Sequence, residues 1–139
     1  MAAARATIAF VGLLVPTTGC LPEASGLDGT QWMLVEMGPE ADLQAIDADS
    51  LVTLSFIAGE DKVTGSLVCN TYYASYQVDE SYLTIGQTDG TSLWCEPPEH
   101  MRLEHSYLDA LRTARGFSLQ EDRLVIYCDV IQLVYERIN

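Results

Sequence analysis

Basic side chains are scarce in this chain: seven Lys and Arg stand against twenty Asp and Glu in 139 residues, a formal net charge of −13. That balance repels nucleic acid and anionic lipid headgroups and leaves cationic groups as the partners that charge would attract. Histidine is scarcer still, with only His100 and His105. Nucleophilic catalysis needs a nucleophile, a base and an orienting acid, and there is little here to supply the base. No GxSxG, HExxH or phosphate-binding loop occurs. The carboxylate pairs Glu60-Asp61 and Glu121-Asp122 fall in expected hairpin turns, which lack the burial that paired acid–base chemistry uses. The chain is therefore expected not to be an enzyme, with no catalytic residue and no cofactor.

A metal centre is also poorly supplied. Cys69, Cys95, His100 and His105 are the candidate ligands, but the two cysteines lie much further apart than in a zinc knuckle. The two histidines, five residues apart, would diverge by about 140° around a helix. No metal is expected. Long apolar runs are missing too. The longest, Ala6 to Val15, is too short to span a bilayer stably. Internal repeats and low-complexity tracts are absent.

What is present starts with that run. "MAAARATIAFVGLLVPTTGC" has one positive charge, Arg5, then the apolar stretch, Pro16 and the small residues Thr17-Thr18-Gly19. This is the layout of a secretory signal over residues 1–19. Gly19-Cys20 resembles the end of a lipobox, with Thr17 where leucine is usual, so Cys20 is the expected site of lipidation. Export to the cell envelope or periplasm follows, with anchoring to a membrane through Cys20. Residues 20–26 then form the lipidated cysteine and a short tether, "LPEASG". The folded domain is expected over residues 27–139.

Nearly half of the residues are apolar (48%), enough for one packed domain. Most of it reads as short strands: residues 30–37, 51–57, 63–68, 71–78 and 82–86, then 117–120, 123–128 and 131–138. In the second, Val52, Leu54 and Phe56 form the inward face. In the fourth, Tyr72, Ala74, Tyr76 and Val78 point inward, leaving Tyr73 outside. The stretch from Gly38 to Ser50 is a polar connection with room for one helical turn. Pro97 and Pro98 suit the start of a helix over residues 99–114. Its apolar arc holds Leu103, Tyr107, Ala110, Leu111 and Ala114, and Gly116 is placed to cap its C-terminus. The fold class is thus mainly β: about eight short antiparallel strands in a small closed or partly open barrel, with one α-helix between strands five and six. A sandwich is the alternative.

Asn70 marks a break between strands, where its side chain can bond nearby backbone groups. The order and spacing of "VTLSF…KVTGSLVCNTYYASY…YLTI…TSLWC…YLDAL…LVIY", after "LDGTQWML", resemble the META domain, or HslJ-like, family. Cys69, Asn70, Tyr72 and Tyr76 stand in one family motif, and Thr91 and Cys95 in another. Val68, Ala74 and Leu93-Trp94 depart from the family's usual residues. The resemblance implies a barrel-like fold and exported or envelope proteins. It is associated with stress response and, in some members, with motility or virulence. No catalytic activity comes with it.

Cys69 and Cys95 flank breaks in regular structure and are the expected disulfide, with Cys128 left as a buried thiol. Cys95–Cys128 and Cys69–Cys128 stay open as alternatives. The reading of function is a monomeric, lipid-anchored envelope module with a structural, stress-related or protein-interaction role, whose partners are unidentified envelope proteins. It has two rivals. One is a carrier of a small apolar ligand inside the barrel, which would need an interior not filled by Phe56, Tyr72, Tyr76, Leu83, Phe117 and Leu124. The other is a protein inhibitor presenting the loop from Gln87 to Glu99. Tyr73 and Trp94 are the candidate contact residues, although the Trp94 ring could instead cover the barrel's end.

Overall fold

Alternation between inward and outward side chains sets the strands, and their inward faces can be buried together only if the sheet curls. The computed structural model describes residues 25–138. The expected signal segment, Cys20 and most of the tether lie outside the described residues. In chain order the elements are β1 (Gln31–Gly38), β2 (Gln44–Ala45), β3 (Thr53–Phe56), β4 (Lys62–Ser66), β5 (Thr71–Asp79), β6 (Tyr82–Ile85), β7 (Asp89–Gly90), α1 (Pro98–Leu111), β8 (Gly116–Gln120), β9 (Arg123–Tyr127) and β10 (Gln132–Arg137).

Two of these strands, β2 and β7, have only two residues each. The other eight form a closed antiparallel ring in the order β1-β3-β4-β5-β6-β8-β9-β10, with β10 returning to β1. The closing seam runs from Trp32 opposite Arg137 to Gly38 opposite Gln132. The thinnest seam joins β6 to β8 through Tyr82 opposite Gly116, helped by Leu83 N–H to Arg115 O (3.1 Å) and Phe117 N–H to Ser81 O (3.0 Å). Closure leaves none of the eight strands with a free edge. The helix lies between the fifth and sixth strands of the ring, where the sequence places it.

The interior is filled with rings and branched chains. Trp32, Tyr107, Leu54, Leu83, Leu124 and Ile126 are fully buried, and Tyr72 nearly so. Burying each large side chain is worth about 2–3 kcal/mol. Phe56 meets Tyr76 edge to face with ring centroids 5.0 Å apart. Trp32 satisfies its indole N–H on Thr30 Oγ1 at 2.7 Å. The inward set Tyr72, Ala74, Tyr76 of β5 is buried as the alternation requires, and Tyr73 is exposed.

Three details differ from the sequence-based expectation. Gln44–Ala45 is a strand pairing with Met37 and Glu36 of β1 rather than a helical turn. Gly116 opens β8, and the helix ends at Leu111 with Arg112 as its C-cap, whose N–H bonds Leu108 O. Phe117, expected inside, is only half-buried, while Tyr107 from α1 takes the central place. Tyr107 Oη sits 2.8 Å from Tyr72 Oη and 2.9 Å from Tyr135 Oη, and Tyr72 donates to Thr53 O at 2.7 Å. The helix thus closes one end of the barrel with a ring whose hydroxyl has partners inside.

Candidate functional site

β4 and β5 are joined by Leu67–Asn70, a tight turn in which Leu67 N–H donates to Asn70 O at 2.7 Å. The turn leaves the Asn70 side chain facing the loop between β6 and α1, and it is 5% exposed. Its Oδ1 accepts from Leu93 N–H at 2.7 Å and from Thr91 Oγ1 at 2.9 Å. Its Nδ2 donates to Leu93 O at 3.0 Å and to Glu104 Oε1 at 2.8 Å. Asn70 was expected to bond nearby backbone groups; its partners are instead more than twenty residues away in sequence, on the loop and the helix.

A second set of ties holds the same loop. Thr91 Oγ1 accepts from Thr71 N–H at 3.0 Å, and Thr91 N–H donates to Thr71 O at 3.1 Å. Gly90 lies against β5 so closely that a Cβ there would stand 2.0 Å from Thr71 O, at φ +154°; only glycine fits. Cys69 and Cys95 are joined in a disulfide with Cα atoms 6.0 Å apart, so the expected pairing is the one formed. Cys128 is the free thiol of the described residues; it is half-buried, and burial pushes its pKa up to about 12. At neutral pH it is protonated and a poor nucleophile. Burial likewise pushes the hydroxyls of Tyr72, Tyr107 and Tyr135 well above the usual tyrosine range; charge on a neighbouring tyrosine adds to the rise in all three, while a hydrogen bond to a neighbouring hydroxyl opposes it at Tyr107 and Tyr135.

Held this way, the loop turns Leu93 and Trp94 outward, at 62% and 64% exposure. The Trp94 ring does not cover the barrel's end. It stands in solvent with its indole N–H on Glu96 Oε1 at 3.2 Å. Between loop and helix lies a cleft of about 250 Å³, whose lining includes Leu67, Trp94, Met101, Glu104, His105 and Leu108. Tyr73 is on the outer face of β5, opposite Asp89, and does not line this cleft.

Glu104 is the residue that the sequence reading missed. It is 1% exposed, and its Oε2 accepts from Cys69 N–H at 3.1 Å while Oε1 accepts from Asn70. The available signal was spacing: Met101, Glu104, Tyr107 and Leu111 recur at three, three and four residues, one stripe of a helix, and all four are buried. Glutamate at the centre of that stripe marks a polar tie. His105, its neighbour, is exposed.

A small, closed, eight-stranded antiparallel barrel, with a helix over one end and a disulfide-tied loop beside it, is the class of protein defined by these features. The chain belongs to the META domain family, whose model matches residues 25–137. Solved structures share the fold. A protein from Burkholderia xenovorans, determined by NMR, is 23% identical, with a TM-score of 0.68 over 85% of this chain and 92% of that one. A second NMR structure is 17% identical, with a TM-score of 0.63 over 84% and 95%. The crystal structure of a duf4847 family protein from Bacteroides vulgatus is 12% identical, with a TM-score of 0.59 over 79% and 93%. Among curated proteins, none matches the chain. No helix among the described residues is long and apolar enough to cross a membrane.

Proposed function

We propose that this META domain is a non-catalytic, exported envelope module, anchored to a membrane through a lipid on Cys20. Its role is a structural or stress-related one, exercised through contact with another envelope protein. The observation that carries this reading is the loop at Leu93–Trp94. Hydrogen bonds from Asn70 and Thr71, with the Cys69–Cys95 bridge, hold two large apolar side chains in solvent. Exposed tryptophan in a preorganised loop is the kind of anchor that dominates protein–protein interfaces. The signal-like first nineteen residues and the Gly19-Cys20 pair support export and anchoring. The packed aromatic interior supports a module that acts through its surface rather than through a barrel cavity.

A photo-crosslinking amino acid in place of Trp94, in intact cells, tests the contact. One discrete envelope adduct, lost when Leu93→Ala is added, is expected. Equal crosslinking from the distant Asp79–Tyr82 hairpin would overturn it. Mass spectrometry of the mature N-terminus tests the anchor, and an unmodified Cys20 or an uncut signal would remove it.

A further inference from the structure

We propose that the outer face of β5, β6 and β8 binds a neutral oligosaccharide chain, whose rings stack on Tyr73, Tyr82 and Tyr127. Tyr73, Ser75 and Gln77 point outward from β5, and Tyr82 and Thr84 from β6. Gly116 and Ser118 of β8 continue the same side toward Tyr127 of β9. None of these outward residues is charged, in a chain that is 19% charged. The three tyrosines are 56%, 66% and 40% exposed. A phenol ring standing in solvent has an apolar body and a polar tip, so a ligand that covers the one and hydrogen-bonds the other suits it.

The rings are spaced along a line of hollows. Tyr82 lies opposite Asp79, six residues along β5 from Tyr73, which sets the two tyrosines about 20 Å apart. Two shallow hollows, of about 430 and 240 Å³, share Gln77 and Thr84 in their linings. Gly86 lines the smaller one, where a Cβ would stand 2.6 Å from Ser75 Oγ. Beyond Tyr82, Gly116 is opposite both Tyr82 and Tyr127, so bare backbone separates two tyrosines about 10 Å apart. Ser118 Oγ, 3.2 Å from Tyr127 Oη, steadies the second ring. An apolar ligand would need aliphatic walls, whereas Ser75, Gln77 and Thr84 offer hydroxyl and amide groups. An ion would need an opposite charge, and none of the outward residues supplies one. A hexose presents hydroxyls at its edge and C–H bonds on its face, which can lie on the negative face of an aromatic ring. The length of the face suits a chain of sugars rather than one. Asp61 and Asp79 stand at one end and Asp89 at the other, with Lys62 beside Ser75 on β4. That border and the net charge of −13 repel acidic sugars. The site is independent of Trp94, of Cys20 and of where the protein resides.

Titration of the full chain in ¹H–¹⁵N NMR tests it, with cellohexaose and N-acetylchitohexaose as neutral probes and hexagalacturonate as the acidic one. We expect saturable shifts of the Ser75, Gln77 and Thr84 amides with at least one neutral chain, and at least tenfold weaker binding of the acidic chain. Tyr82→Ala and Thr84→Arg, both at exposed positions, should each weaken binding at least tenfold, and Trp94→Ala should leave it unchanged. If either Tyr82→Ala or Thr84→Arg fails to fold, the other decides, and if both fail the neutral–acidic comparison decides. No saturable shift from either neutral chain would overturn the proposal. So would equal affinity for the acidic chain, binding that survives both variants, or binding lost in Trp94→Ala. Dimerisation that Tyr82→Ala abolishes, without sugar binding, would also overturn it and assign the face to a second copy of this chain.

Discussion

Four hydrogen bonds leave the Asn70 side chain, and they reach a loop and a helix that are distant in sequence. Removing the amide would strand Leu93 N–H and leave the Glu104 carboxylate with Cys69 N–H alone. Buried groups left without partners cost more than the bonds were worth when formed, so Asn70→Ala should lose about 2–4 kcal/mol in a urea melt. Asn70→Asp is nearly isosteric, yet it replaces the donor to Glu104 Oε1 with a second acceptor and should lose at least as much. Should Asn70→Ala melt like the parent, Asn70 does not hold the loop. The strand break at Asn70 is legible in the sequence. Its partners are not, because they arrive through the fold and no periodicity connects positions 70, 93 and 104.

At the scale of elements, the eight strands and the helix are legible because alternation and helical spacing are local. The inward faces of β3 and β5 follow directly from residues two apart. The two-residue strands β2 and β7 carry too short a pattern to read, and exist because β1 and β5 offer partners. The loop before α1 has no periodicity, yet it is among the most firmly tied segments. The Cys69–Cys95 bridge spans 26 positions and links it to the β4–β5 turn. Replacing both cysteines by alanine should cost about 3.5 kcal/mol on the chain-entropy account. Proteolysis should then cut first between Gln87 and Glu99. Cleavage spread over other loops would mean that the hydrogen bonds of Asn70 and Thr91 suffice without the bridge.

At the scale of the whole molecule, the core encloses three linked tyrosine hydroxyls and a nearby thiol, all held protonated. The sign of their effect follows from proton counts. In the unfolded chain Cys128 ionises near 9 and the tyrosines near 10, while in the folded chain Cys128 waits until about 12. Above pH 9 the folded state therefore holds more protons than the unfolded one, and stability falls as pH rises. The urea midpoint should be flat from pH 7 to 8.5 and drop steadily from pH 9 to 11. Cys128→Ser should remove most of the drop between pH 9 and 10 and make the fall from pH 10 to 11 shallower, leaving the share of the tyrosines. A midpoint unchanged up to pH 11 would contradict the burial of these groups.

The residues alone determined the alternating strands, the single helix, the inward tyrosines of β5 and the family, because each rests on local spacing or on the order of short motifs. Only the tertiary structure decided that Glu104 is buried beside Asn70, that Trp94 faces solvent, and that Tyr107 links Tyr72 to Tyr135. The physical reason is closure. Bringing β10 back to β1 and laying α1 across the end places side chains from remote positions within hydrogen-bond reach, and that proximity is a property of the closed sheet rather than of any stretch of chain.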